Sequence, residues 1–527
     1  MGYIHSCSLR WSLQREGKLD FNSNLRLLTS PKHSRPNGMI PNAVYLTGIV
    51  LSYGSTSLIF LSLNPELARL LGKTYDSDDI DGVHINPVAL FTLGSGFLLQ
   101  AVITNWALVE TNIPTWSSNP LDVARVCTVD EHDGHRVEPR IGRCMMSVHL
   151  AKEDARCCKP RPKQRPMITA HSHVRRILIL LWTLPILSGI WGSGVYGYLV
   201  KGSHNGVFGR SWSLLPIFTG STDSDCSTGQ CTDGTSVVNV GWTANGAAGV
   251  VGAVFLIMAF QSVVTLSLHC AELIVNLSRD EKVYRGLLGS RGTNNHYNSV
   301  AAAFTSWQTL FLFALKAGVH WMFGLAINLQ FQLGVNMHPP QIFYFSAFCL
   351  AAAIFGLLLS VWRPAGYLPA AYGHIQTIAD VVDEWADSGA MFWGEKKAGN
   401  PGYTGTSTHR LRQPNENIWY GGQQEQRPAQ NRNSAVPTEL HNLVPPIATP
   451  PMQPFYPPAP PPYPPTAPPY VQHNSYSQWA QQAHQQTHNR PSHQSLNSAY
   501  SGMSGYSYNS NYSAQSTQPF LGHQRGW

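Results

Sequence analysis

Six stretches of the chain are nearly free of charge and rich in apolar residues, and each predicts a helix long enough to cross a bilayer. They run near Ala43–Leu63, Pro87–Val109, Ile177–Val200, Ala247–Cys270, Ala303–Leu329 and Ile342–Trp362. A hydrocarbon core of roughly 30 Å takes about 20 helical residues. So many runs of that length do not suit a soluble fold, so the pattern predicts an all-α membrane protein. It would have a cytoplasmic N-terminal segment (1–42) and a six-helix transmembrane domain (43–362). Past the last span, Arg363-Pro364 and Pro369 break the helix. An amphipathic juxtamembrane helix is then expected within 363–397, from His374 to Trp385, with Ile375, Ile378, Val382 and Trp385 on one face. Asp380, Asp383, Glu384 and Asp387 make it acidic, the wrong sign for anionic lipid, so docking against the basic cytoplasmic loops is expected, completed by Met391-Phe392-Trp393.

Apolar periodicity fades beyond Lys397, and residues 398–527 read as a disordered low-complexity tail. Fourteen of the 26 residues in 445–470 are proline, which favours polyproline II. From Gln472 onward Gln, Asn, Ser and Tyr dominate. Within the proline tract, Pro460-Pro461-Pro462-Tyr463 is a P-P-x-Y motif of the kind WW domains hold, and a plain spacer is the competing reading.

Composition sharpens this picture in one respect and charge in another. Only 12% of the 527 residues are charged while 43% are hydrophobic, well below the charged share of an average soluble domain. The net charge of +7 is small for the size and does not by itself imply a nucleic-acid partner, none being expected, and nine cysteines are too few for a disulfide-dense secreted scaffold. Lys and Arg are unevenly placed. Six lie before the first span, twelve between the second and third, four between the fourth and fifth, and nine after the sixth; the alternate segments hold four. The bias puts both termini in the cytoplasm. With a polar N-terminus and no apolar signal core, the first span is expected to serve as an uncleaved anchor in a membrane of the secretory pathway, the plasma membrane favoured.

Candidate chemistry concentrates in two spans. Gln261, Thr265, His269, Glu272 and Asn276 fall on one helical face of the fourth, and Lys316 and His320 share a face of the fifth. An ionisable group at the depth of Lys316 is costly unless it faces protein or water, so it should point into the bundle. Glu272 is the natural partner, although sequence depth places it nearer the cytoplasmic surface. Such a seam either locks two helices together or lines a site suited to a small anion. Elsewhere, Cys226 and Cys231, separated by Ser-Thr-Gly-Gln in an outer loop, suit a structural disulfide.

Other patterns carry less. The run Asp130-Glu131-His132-Asp133-Gly134-His135 and the set Cys157, Cys158, His171, His173 lack the paired spacing of a zinc site. The first reads better as a solvated loop, and for Cys157-Cys158 a membrane-proximal basic patch with palmitoylation is an equal alternative to the ligand set. Gly192-Ser-Gly194-Val-Tyr-Gly197 matches G-x-G-x-x-G inside a span, where no strand precedes it, so it is no nucleotide fingerprint. No metal, cofactor or catalytic residue is assigned, and a non-enzymatic protein is expected.

Leu268-His-Cys-Ala-Glu-Leu-Ile-Val-Asn-Leu-Ser-Arg-Asp-Glu281 and Tyr372-Gly-His-Ile-Gln-Thr-Ile-Ala-Asp-Val-Val-Asp-Glu-Trp385, with Met391-Phe-Trp-Gly-Glu395, resemble a family of uncharacterised fungal multi-pass membrane proteins. Thr115-Trp-Ser-Ser-Asn-Pro-Leu121 and Gly142-Arg-Cys-Met145 are similar too. The likeness covers about 40–396; it implies a fungal membrane setting and brings no activity with it. Two functions stay open: a membrane scaffold or sensor recruiting cytosolic partners through the tail, or a small-solute or anion transporter or channel built on the seam.

Overall fold

The computed structural model describes residues 1–25, 27–62, 83–129, 135–150, 157–202, 206–216, 231–241, 246–294, 306–330, 333–386 and 389–421. The chain begins with helix α1 (Gly2–Arg15) and α2 (Met39–Thr56). Two antiparallel paired strands, β1 (Phe60–Ser62) and β2 (Val83–Ile85), precede α3 (Pro87–Glu110). Then come α4 (Pro120–Val129), β3 (Cys157–Cys158), the single turn α5 (Met167–Ala170) and α6 (Ser172–Val200). Strands β4 (Gly206–Ser211), β5 (Cys231–Thr235) and β6 (Val237–Val240) precede the 39-residue α7 (Gly246–Tyr284). Next are β7 (Thr293–Asn294), α8 (Trp307–Ala326), β8 (Ile327–Gln330), β9 (Gly334–Met337) and α9 (Pro339–Val361). The described part closes with α10 (Ile375–Val381), β10 (Ala390–Lys397), β11 (Tyr403–Ser407) and β12 (Tyr420–Gly421).

Five of these helices, α3, α6, α7, α8 and α9, are long and apolar enough to cross a membrane. At the place expected for a first span, α2 is 18 residues long, about 27 Å, and is interrupted by Asn, Ser, Thr and Gly. It is therefore not among the five. Its partner is α3, approached closely through glycine: a Cβ on Gly96 would lie 2.8 Å from the Gly48 carbonyl and 2.7 Å from Ser52 Oγ. Gln100 Nε2 seals that contact by donating to the Gly48 carbonyl and to Ser52 Oγ. On the other side of α7, α6 packs on α9 and α9 on α8. The shared core includes Ile257, Met258 and Ile274 of α7, Leu181 of α6, Phe323 of α8 and Phe345 of α9.

The two ends of the bundle differ, and both correct the all-α expectation. At one end β4–β6 and the β8–β9 hairpin form a five-stranded sheet in the order β5-β4-β6-β9-β8, mostly antiparallel, with β5 parallel to β4. Residues Ile327–Leu329, expected inside the fifth span, belong to this sheet. Ile327 and Leu329 are buried, while Asn328 and Gln330 between and after them are half-buried, the period of a strand. The other end is a folded domain with its own core, drawn from four distant segments. Leu9, Trp11 and Leu13 of α1 meet Leu121, Ala124 and Cys127 of α4, Tyr284 at the end of α7, and Ile375, Ile378 and Val381 of α10. The expected His374–Trp385 helix ends at Val381, and the chain then enters β10. Exposed Trp106, Trp307 and Trp362 mark the domain-side ends of α3, α8 and α9, as an interfacial tryptophan belt does.

Candidate functional site

Helix α7 runs about 58 Å, twice a bilayer crossing, so it belongs to both the bundle and the domain. Its expected end at Cys270 is overshot because the charged residues beyond it find partners instead of water. Along the bundle half, the polar stripe meets α8 and α2. Lys316 Nζ donates to Glu272 Oε1, and His269 Nδ1 lies 3.2 Å from the same oxygen. Lys316 sits roughly 13 Å along α8 from Trp307, so its four-carbon stem reaches back toward the domain end to meet Glu272. Tyr53 of α2 stacks on His320, ring centroids 5.0 Å apart, and stands edge-on to His269 at 5.5 Å. Gln261 Nε2 approaches His320 Nδ1 at 3.4 Å, and Ser57 donates to Gln261 Oε1 at 3.4 Å. Thr265 is buried within the same stripe.

Of the seven expected seam residues, Gln261, His269, Glu272, Lys316 and His320 thus form one file of contacts through Tyr53, Thr265 is buried on the same helix face, and Asn276 lines the adjoining cavity. Tyr53 and Ser57 are the members that sequence reasoning missed; they come from α2, whose polar face offered no ionisable signal. The file is not sealed. Glu272 is 29% exposed and Lys316 14%, and Glu272, His269 and Asn276 line a cavity of about 200 Å³ bounded by Tyr3, Ser6 and Arg10 of α1.

Two turns further on, the same helix enters the domain core. Glu281 is fully buried. Its Oε1 accepts from Arg285 Nε at 2.7 Å, and its Oε2 accepts from the backbone N–H groups of Ala371 and Tyr372 at 2.9 and 2.7 Å. Arg285 in turn donates to the carbonyls of Ala365 and Leu368. Beside it, Asp280 Oδ2 accepts from Asn22 Nδ2 and Ser23 Oγ, tying down the chain after α1. Gly373, at φ +74°, lets the backbone pass that carboxylate; a Cβ there would come within 2.7 Å of Asp280 Oδ2. Tyr372 adopts φ 48° just before it. Residues 117–118, 280–281 and 371–373 therefore meet here with the chain around Arg10 and Asn22. Asp280 and Glu281 grip the Tyr372–Gly373 turn, and the Ser117 and Ser118 carbonyls accept from Arg10 and Asn22.

Of the four carboxylates expected to make this helix acidic only Asp380 lies within α10 and meets a basic loop residue, while Asp383 and Glu384 pair with Lys396 of β10. Asp380 accepts from Arg140 Nη2 at 2.5 Å and from the Arg140 backbone N–H at 2.8 Å. Cys157 and Cys158 form β3, paired antiparallel with Gly421 and Tyr420. Among the described residues no three His, Cys, Asp or Glu side chains are grouped to hold a metal. Cys226, Pro460, Pro461, Tyr463 and residues 130–134 lie outside the described residues, and Cys231 is described only as backbone in β5. His171 caps α6: its Nδ1 accepts from His173 N–H, and burial, with a smaller contribution from His173, pushes its pKa down to about 4.

Comparison with protein-family models, with curated proteins and with solved structures finds no match.

Proposed function

We propose that this membrane protein is a non-enzymatic sensor and scaffold in which α7 links an accessible polar seam to a folded domain from which the tail departs. The observation that carries this reading is the continuity of α7: Glu272 in the seam and Glu281 in the domain core lie nine residues apart on one helix. A displacement at the seam is thereby delivered to the turn at Tyr372 and to the N-terminal loop held by Asp280. The lysine and arginine distribution supports cytoplasmic termini and, with them, a sixth crossing by α2. The P-P-x-Y sequence at Pro460–Tyr463 supports a WW-domain partner. The test is binding of a WW domain to the full chain in lipid nanodiscs. Binding that Tyr463→Ala abolishes is the expected result; binding that survives the substitution removes that partner.

A second reading, transport of a small anion, is favoured by the cavity that His269 and Glu272 line and by the contact of Glu272 with Lys316 beside it. Proteoliposomes that accumulate a small anion with the wild-type chain and not with Lys316→Met would install it in place of the scaffold.

A further inference from the structure

A second cavity, of about 280 Å³, lies away from the seam and carries a different chemistry. Among the described residues its lining includes Lys159, Arg161, Arg165, Gln164, Tyr367 and Trp419 and no carboxylate, with Glu416 behind Tyr367, whose hydroxyl donates to it at 2.8 Å. The two strips that build it are clasped by backbone hydrogen bonds, Gln164 N–H to the Pro364 carbonyl at 2.9 Å and Gly366 N–H to the Pro162 carbonyl at 2.8 Å. Gln164, itself buried, donates to the carbonyls of Arg161 and Gly366 and so fixes the loop that carries the cations. Lys159 Nζ is held 5.3 Å from the centre of the Trp419 ring. Close by, burial drives the His149 pKa down to about 4, with Arg165 and Arg161 adding to the push, as a locally positive field should. The two strips also adjoin the ends of two helices apolar enough to cross a membrane. One strip ends seven residues before α6 begins, and the other starts just past α9 and exposed Trp362.

We propose that this cavity binds a phosphate-bearing ligand, gripped by Lys159, Arg161 and Arg165 at the membrane surface. Arginine forks and a lysine suit phosphate oxygens, and a volume this small suits a headgroup rather than a larger molecule. Trp419 immediately precedes β12, which pairs with Cys157 and Cys158, so an occupant would touch the point where the tail leaves the fold.

The experiment uses the full chain in nanodiscs and reads thermal unfolding together with native mass spectrometry of retained lipid. Discs of phosphatidylcholine alone are compared with discs containing phosphatidylinositol 4-phosphate, and neutral discs are titrated with inorganic phosphate and inositol phosphate. The expected result is selective retention of the phosphoinositide or stabilisation by soluble phosphate, weakened at least tenfold in Lys159→Gln/Arg161→Gln/Arg165→Gln and unchanged in Arg291→Gln. These side chains are exposed, and unfolding without ligand checks that the triple variant folds. Retention of the lipid without any effect of soluble phosphate identifies a headgroup site; stabilisation by phosphate in neutral discs identifies a soluble ligand. Equal behaviour of neutral and anionic discs with no effect of phosphate overturns the proposal on wild-type protein alone, as does binding that the triple variant retains. None of these readouts involves the P-P-x-Y motif, so failure here leaves the scaffold reading standing.

Discussion

Two carboxylates on α7 meet the same kind of partner in opposite surroundings. Glu272 faces Lys316 in the bundle, 29% exposed and beside a cavity; Glu281 faces Arg285 in the domain, fully buried and fastened to two backbone N–H groups as well. An ion pair that keeps part of its surface exposed beside a cavity contributes less than a sealed one, because the cavity leaves room for either partner to find a replacement. A buried pair is different: removing one member strands the other charge where nothing can hydrate it. The difference teaches that α7 is rigidly built in at its domain end and left adjustable in the seam.

The largest expected effect is therefore at Glu281. Glu281→Ala should cost about 3–5 kcal/mol, because Arg285 loses its counter-charge and the Ala371 and Tyr372 N–H groups lose their acceptor. Chemical unfolding in lipid would measure it, and a cost near zero would break the comparison. In the bundle, Gly96→Ala should cost about 1–3 kcal/mol, since the new methyl meets the Gly48 carbonyl and Ser52 in a helix pair with no slack. Recovery of that loss by Ser52→Ala would localise the clash.

At the junction of the two regions, His171 makes stability depend on pH. Its folded pKa, about 4, lies below the ordinary histidine value, so the unfolded chain takes up the proton first as pH falls. Its contribution is complete above about pH 6.5 and declines toward pH 4, amounting to a loss of about 2 kcal/mol between pH 7 and 5. His171→Asn keeps a capping side chain and should flatten that slope in unfolding curves across pH.

How much of this was legible beforehand depends on whether a signal is local. The apolar runs placed α3, α6 and α9 within a few residues, and the spacing of Gln261, Thr265, His269 and Glu272 placed them on one face, since both are properties of a single helix. The fates of α1 and of the far half of α7 were not. The residues that α1 buries include His5, Ser8, Ser12 and Gln14 alongside Leu9 and Leu13, so no apolar stripe announces it; its core is supplied by residues more than a hundred positions away. Charges at Arg279, Asp280 and Glu281 resemble the end of a span until Asn22, Ser23 and the Tyr372 turn are seen to satisfy them. Strand β8 was hidden for the opposite reason: Ile327 and Leu329 continue the apolar run of α8 without a break. Residue type alone nominates Glu272 as the partner of Lys316, but the reach of the lysine stem that bridges their difference in depth is visible only in the fold.

The smallest predicted effect tests the account most directly. Lys316→Met should change stability in nanodiscs by no more than about 1 kcal/mol, since Glu272 keeps His269 and access to water. Measured side by side with Glu281→Gln by thermal unfolding, Lys316→Met should retain a near wild-type midpoint while Glu281→Gln falls well below it. If Lys316→Met unfolds as early as Glu281→Gln, the seam is a structural lock like the domain core, and its role in sensing is contradicted.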